Sequence, residues 1–208
     1  MAKHTLSDLF EGNYGVSQKF GNNPSWNQLG IKPPPGVNGN SPYYGYYGFR
    51  GHEGTDFRTP KGTKLLVPFE IGTILRVGWD NAYGNYIVIW DSKQLCAVWY
   101  CHLDSVAVLP GRIFSRGTVV GRTGDTGSKG RPHLHVNFVE TNSQGGRVNI
   151  FNGYKGYLDI LNTGLVSWQT GPSLPQTDTE IVKYLRDKVI QGSSDGEFRA
   201  LARKVLGV

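Results

Sequence analysis

Gly130-Arg131-Pro132-His133-Leu134-His135-Val136-Asn137-Phe138 is the stretch from which the rest of the chain is read. As a strand it alternates, placing His133 and His135 on one face and Leu134 and Val136 on the other, toward a core. At ~3.3 Å per residue the two imidazoles stand roughly 7 Å apart. That is too wide for a hydrogen-bonded pair and suits one metal ligand beside one acid/base group. Taken alone, a surface strand with two solvated histidines meets the same pattern. The remaining histidines change the weight. Of 5 in the chain, His4 lies in the N-terminal tail, His52 in Gly51-His52-Glu53-Gly54-Thr55-Asp56, and His102 in Tyr100-Cys101-His102-Leu103. A site that needs metal ligands and a proton shuttle would use imidazoles from separate segments in this way.

His52 and Asp56 flank Gly54, which lets an imidazole and a carboxylate converge. With His135 they would offer zinc two nitrogens and one oxygen and leave the fourth position to water. Such a centre acidifies bound water and polarises a carbonyl, so the chemistry expected is metal-assisted hydrolysis, most naturally of an amide. His102 and His133 are then the groups left beside the water. One would take its proton, and the other would hold the oxyanion or protonate the leaving amine; the sequence does not divide these roles. Tyr100 shares a strand face with His102 and either orients it or is a plain core tyrosine. Glu53 is not placed as a general base, because no second histidine follows at the His-Glu-x-x-His spacing.

The composition frames this chemistry. With 208 residues, the chain is one domain or one domain plus an appendage. Its 29 glycines, 11 tyrosines and 5 tryptophans against 18% charged residues point to a loop-rich, mainly β fold. The net charge of +6 favours an anionic partner: nucleic acid, a membrane surface, or an acidic polymer such as a bacterial wall. No basic run is interleaved with aromatics, which argues against nucleic acid. No stretch is long enough to span a membrane, and none after Met1-Ala2-Lys3-His4-Thr5 has signal-peptide length. The expectation is therefore synthesis as a soluble cytoplasmic product, or else a processed form. Cys96 and Cys101 fall on opposite sides of one strand and cannot pair with each other, so they read as buried free thiols.

Short strands are expected around Tyr14–Phe20, Thr63–Pro68, Gly72–Val77, Asn85–Trp90, Leu95–His102, Val119–Gly121 and the His133 segment. With Gly-rich turns between them, they suggest an antiparallel sheet or sandwich. Residues 21–51 form a long Tyr-, Gly- and Pro-rich loop in which Tyr43, Tyr44, Tyr46 and Tyr47 would wall a groove and touch substrate. The main domain is expected over 1–170 and a linker over 171–176. A helical hairpin is expected over 177–208, opened by capping boxes at Thr177/Glu180 and Ser194/Glu197.

The motifs together resemble the lysostaphin/LytM-type zinc metallopeptidases, which cut peptides of bacterial peptidoglycan. The resemblance spans about residues 15–165. It rests on His52-x-x-x-Asp56, Pro60-Lys61-Gly62-Thr63, Gly72-Thr73-Ile74 and Tyr83-Gly84-Asn85-Tyr86-Ile87-Val88-Ile89. Tyr100-x-His102-Leu103, Gly117 through Gly121, and Thr123-Gly124-Asp125-Thr126-Gly127-Ser128 before His133-Leu134-His135 complete it. It implies an antiparallel β core, one Zn²⁺ held by His52, Asp56 and His135, and His102 and His133 as catalytic groups. It also implies peptidoglycan peptides as substrate, by a phage lysis or virion-associated route. The alternative is a wall-binding or virion structural protein that keeps the fold. Where the family commonly continues His-Leu-His-Phe-Glu, this chain has Val136-Asn137-Phe138.

Overall fold

The computed structural model describes residues 2–169. The chain opens with β1 (His4–Leu6) and β2 (Val16–Gln18), then two one-turn helices, α1 (Trp26–Leu29) and α2 (Tyr43–Tyr46). Five strands follow: β3 (Thr55–Phe57), β4 (Lys64–Leu66), β5 (Ile71–Asp80), β6 (Gly84–Asp91) and β7 (Cys96–Cys101). The last six are β8 (Leu103–Val106), β9 (Ile113–Ser115), β10 (Val119–Thr123), β11 (Leu134–Glu140), β12 (Tyr157–Leu158) and β13 (Val166–Trp168). The fold is mainly β and antiparallel, as the turn spacing implied.

The principal sheet runs β2-β3-β11-β7-β6-β5-β9, with β12 added on β11. Its central hairpins are set by aspartates that close their own turns. Asp80 Oδ1 accepts from the Ala82 and Tyr83 N–H groups between β5 and β6, and Asp91 Oδ1 accepts from those of Lys93 and Gln94 between β6 and β7. A smaller sheet, β4-β10-β8, packs on one face. Alternation fills the space between them with Val136 and Phe138 of β11, Val98 and Tyr100 of β7, Ile87 and Ile89 of β6, and Leu65, Leu103 and Val120 of the small sheet, all buried. The opposite face of the principal sheet carries a second, partly open cluster around Val88, Ala97, Val139 and Tyr157. His135 and the other histidines of the site, though not His4, lie on that open side.

Three expectations change, and the alternative left open for Tyr100 is decided. His4 is not tail but part of β1, which pairs in parallel with β13 and buries the imidazole against Phe138. The strand expected to run through His102 stops at Cys101, because His102 takes φ 61° and turns the chain from the principal sheet into β8 of the small one. The loop 21–51 holds α1 and α2, with a complete capping box at Ser25 and Gln28. Tyr100 is a core residue whose hydroxyl donates to the Leu66 carbonyl at 2.8 Å, so it does not orient His102. Cys96 and Cys101 are buried free thiols. The linker and helical hairpin expected over 171–208 lie outside the described residues.

Candidate metal centre

His135 enters the site from the second position of β11, directly opposite Asp56 of β3 in the antiparallel register. His52 precedes β3 by one short turn, and its backbone is fixed by N–H to the Asn22 carbonyl at 2.7 Å. These three side chains are buried and bring one donor atom each to a common point. His135 Nδ1 lies 2.8 Å from Asp56 Oδ1 and 3.0 Å from His52 Nε2, and His52 Nε2 lies 3.3 Å from Asp56 Oδ1.

The outer nitrogens decide what those atoms are. His52 Nδ1 faces the Lys19 carbonyl at 3.2 Å, and His135 Nε2 faces Asn137 Oδ1 at 2.9 Å. Both partners only accept, so each outer nitrogen carries the proton and each inner nitrogen presents a lone pair. Two imidazole lone pairs and a carboxylate oxygen therefore converge with no donor among them. Only a proton or a metal cation satisfies such a cluster. The separations are close to the ~3.3 Å edge of a tetrahedron with ~2.0–2.1 Å bonds to zinc. The donor set fits Zn²⁺, which His52, Asp56 and His135 would hold.

Charge follows the same geometry. With a proton rather than a metal at the shared point, burial works against an ionised Asp56, but the hydrogen bonds that proton makes possible from His135 and His52 outweigh it and hold the carboxyl well below the usual range. Burial likewise opposes a charged His135, and the Asp56 bond and charge overcome it, raising the imidazole's pKa. Gly54 is required by contact. A Cβ there would stand 2.6 Å from His135 Cε1 and 2.6 Å from Asn137 Oδ1.

His102 and His133 flank this cluster with ring centroids 4.6 Å apart. His102 Nδ1 donates to the Thr126 carbonyl at 2.8 Å, and His133 Nδ1 to the Arg131 carbonyl at 2.7 Å. Each is therefore held as the tautomer whose Nε2 is free to accept a proton. His133 Nε2 points to Asp56, 3.9 Å from Oδ2. Burial first, then the neighbouring His135 and His133, lower the pKa of His102 to about 4.

All five residues singled out in the sequence are thus brought together. The four tyrosines are not. Tyr44 reaches the centre, its ring 5.3 Å from that of His52 and its hydroxyl accepting from Gln18 Nε2 at 2.8 Å. Tyr43, Tyr46 and Tyr47 instead surround the buried Trp26. Their loop is pinned at its base, by Asn23 Nδ2 to the Arg50 carbonyl and Arg50 N–H to that of Gly153.

Sequence reasoning missed two groups around His135. Asn137 follows it by two residues, so strand alternation was the available signal. Tyr83 packs its ring 5.7 Å from His135 and donates its hydroxyl to the buried Glu53 at 3.0 Å. Glu53 Oε1 is held there, and its Oε2 is buried without a hydrogen-bond partner among the described residues.

Residues 50–150 match the profile of Peptidase family M23. Among curated proteins, the peptidoglycan DD-endopeptidase ShyB of Vibrio cholerae is 34% identical over 91 residues, covering 44% of this chain and 21% of ShyB. Lysostaphin of Staphylococcus simulans is 35% identical over 97 residues, covering 44% of this chain and 20% of lysostaphin. The chain thus spans about a fifth of the length of the relatives it matches. The crystallised antimicrobial peptidase lysostaphin shares the fold at a TM-score of 0.55 and 24% identity, over 86% of this chain and 62% of that one.

Proposed function

We propose that this chain, whose residues 50–150 belong to peptidase family M23, is a zinc-dependent endopeptidase that hydrolyses amide bonds in the peptides of bacterial peptidoglycan. The observation that carries this reading is the convergence of three acceptor atoms, from His52, Asp56 and His135, with no donor among them. A zinc ion held by those atoms would supply Lewis acidity toward a carbonyl and an acidified water.

The chain's own groups supply the rest. Thr126 and Arg131 fix the tautomers of His102 and His133 through their carbonyls, so each ring keeps its Nε2 free beside the centre. A neutral imidazole pair so placed accepts a proton from the attacking water and returns one to the leaving amine. His133, the more exposed of the two, would hold an oxyanion only once its Nε2 has taken up a proton. Tyr44 borders the centre and contacts the bound peptide; Tyr43, Tyr46 and Tyr47 form the outer wall around Trp26.

The test is fragment analysis by mass spectrometry on two purified peptidoglycans, one with direct cross-links and one with glycine bridges, with and without a chelator. New amino termini in at least one wall, abolished by the chelator and restored by zinc, are expected. No cleavage of either wall, or cleavage indifferent to chelation, refutes the reading.

A further inference from the structure

The face of the principal sheet that carries the metal centre also carries a separate cavity of about 250 Å³. This is slightly below the ~300 Å³ at which pockets for whole small molecules begin, so it suits one portion of a longer chain. Its floor is Val88, Trp99 and Tyr157, and its only charged lining residues are Arg76 and Arg147. Arg76 lies over the Trp99 ring at 5.9 Å and Arg147 over the Tyr157 ring at 4.4 Å. Neither guanidinium has a carboxylate partner among the described residues. Both guanidiniums are within cation–π reach of a ring, a contact that leaves their N–H groups to a ligand.

The cavity is built rather than incidental. The turn that carries Arg147 closes on itself, Asn142 Oδ1 accepting from the Gln144 and Gly146 N–H groups, and is bridged at Thr141 and Arg147. Gly145, at φ 77°, lets the turn lie against Leu75 of β5, where a Cβ would stand 2.6 Å from Leu75 Cδ1. That contact brings Arg147 to the same cavity as Arg76.

Register gives the distance to the metal centre. Arg76 pairs with Val88, Val88 with Trp99, and Trp99 with Asn137, which touches His135. Three strand spacings make ~14 Å. Tyr157 faces Val139, four residues along β11 from His135 and so also ~14 Å away. Both arginines therefore stand about four extended residues from the centre.

We propose that Arg76 and Arg147 form a subsite for a substrate carboxylate, so that the enzyme selects wall stem peptides with free carboxylates over neutral glycine bridges. This rests on the peptidase reading above for the direction of the chain. Two forked guanidiniums with no acid between them recognise a planar anion by paired hydrogen bonds. An oligoglycine strand would offer them only amides.

The test uses the full chain and a synthetic stem tetrapeptide of L-alanine, D-glutamate, L-lysine and D-alanine, with its carboxylates free or amidated. Calorimetric titration should show amidation weakening binding by about tenfold, the low end for charge-assisted bonds because Arg76 is exposed. In the double variant Arg76→Gln, Arg147→Gln the two peptides should bind within about twofold of each other. In Arg76→Lys, Arg147→Lys a reduced preference should return. No preference in the unaltered protein, no binding at all, or a preference that survives in the Gln variant overturns the subsite. Wall cleavage is scored in parallel. Preference without cleavage refutes the peptidase reading and leaves the subsite standing, and cleavage without preference refutes the subsite alone.

Discussion

Gly54→Ala tests the metal centre through a single methyl group. The added Cβ would fall 2.6 Å from His135 Cε1, 2.7 Å from His135 Nε2 and 2.6 Å from Asn137 Oδ1. Ordinary contact begins at 3.4 Å, so the ring or the turn must give by roughly 0.8 Å, a displacement of the kind that cripples positioned sites. His135 has no slack in either direction, held at 2.8 Å by Asp56 and 2.9 Å by Asn137. The φ of Gly54 lies outside the left-handed region, so the cost is steric and not backbone strain. Overpacking of this size costs about 1–3 kcal/mol, or roughly 2–12 °C in Tm for a chain of this length. The protein should therefore still fold. Zinc affinity, measured by competition with a chromophoric chelator, should fall ~10–100-fold. Affinity within twofold of the unaltered protein, with an unchanged Tm, would refute the placement of His135 against Gly54.

Asp56→Ala removes the only carboxylate from the donor set, and elemental analysis after dialysis should find no bound zinc; full occupancy contradicts the assignment. His102→Ala should retain zinc and lose at least ~100-fold in wall-hydrolysis rate, whereas a near-normal rate takes His102 out of the chemistry. Asn137→Leu leaves the buried His135 Nε2–H without an acceptor and should weaken zinc binding by ~10–100-fold, with Asn137→Asp retaining more of it; equal loss in both points to packing instead. Stability should also fall with acidification. Burial, partly offset by Glu140 at 3.6 Å, lowers the pKa of His4 below 6.5. The native state then binds fewer protons than the unfolded one below that pH, so stability is complete above 6.5 and drains as pH falls. Glu140 acts in the same sense further down, its pKa lowered first by the Lys3 hydrogen bond. The Tm of His4→Leu should therefore vary less between pH 7 and 5 than that of the unaltered chain, and parallel curves would dismiss His4 as the source.

What the sequence made legible is what period and local spacing determine. Alternation alone placed Leu134 and Val136 in the core and the two histidines opposite, and the His52–Asp56 spacing foretold a turn feeding one centre. Those are short-range facts, and β11 pairing with both β3 and β7 turns them into a site. The residues that escaped notice depend on longer-range geometry. Arg76 and Arg147 are separated along the chain by all of β6 through β11, and only the register of β5 through β11 puts them over one cavity. His102 shows the limit most clearly. Its residue type marked it as chemical, yet the pattern around it reads as uninterrupted strand. A non-glycine residue in the left-handed region costs about 1–2 kcal/mol, and here the Tyr83 and Thr126 carbonyls hold it there by bonds of 2.7 and 2.8 Å. The bend that carries the chain from one sheet to the other is the same bend that lifts the imidazole off the core and onto the open face. A straight strand through position 102 would keep the sheets' hydrophobic pattern and remove the side chain from the centre. The irregularity is thus where the fold is fitted to its chemistry.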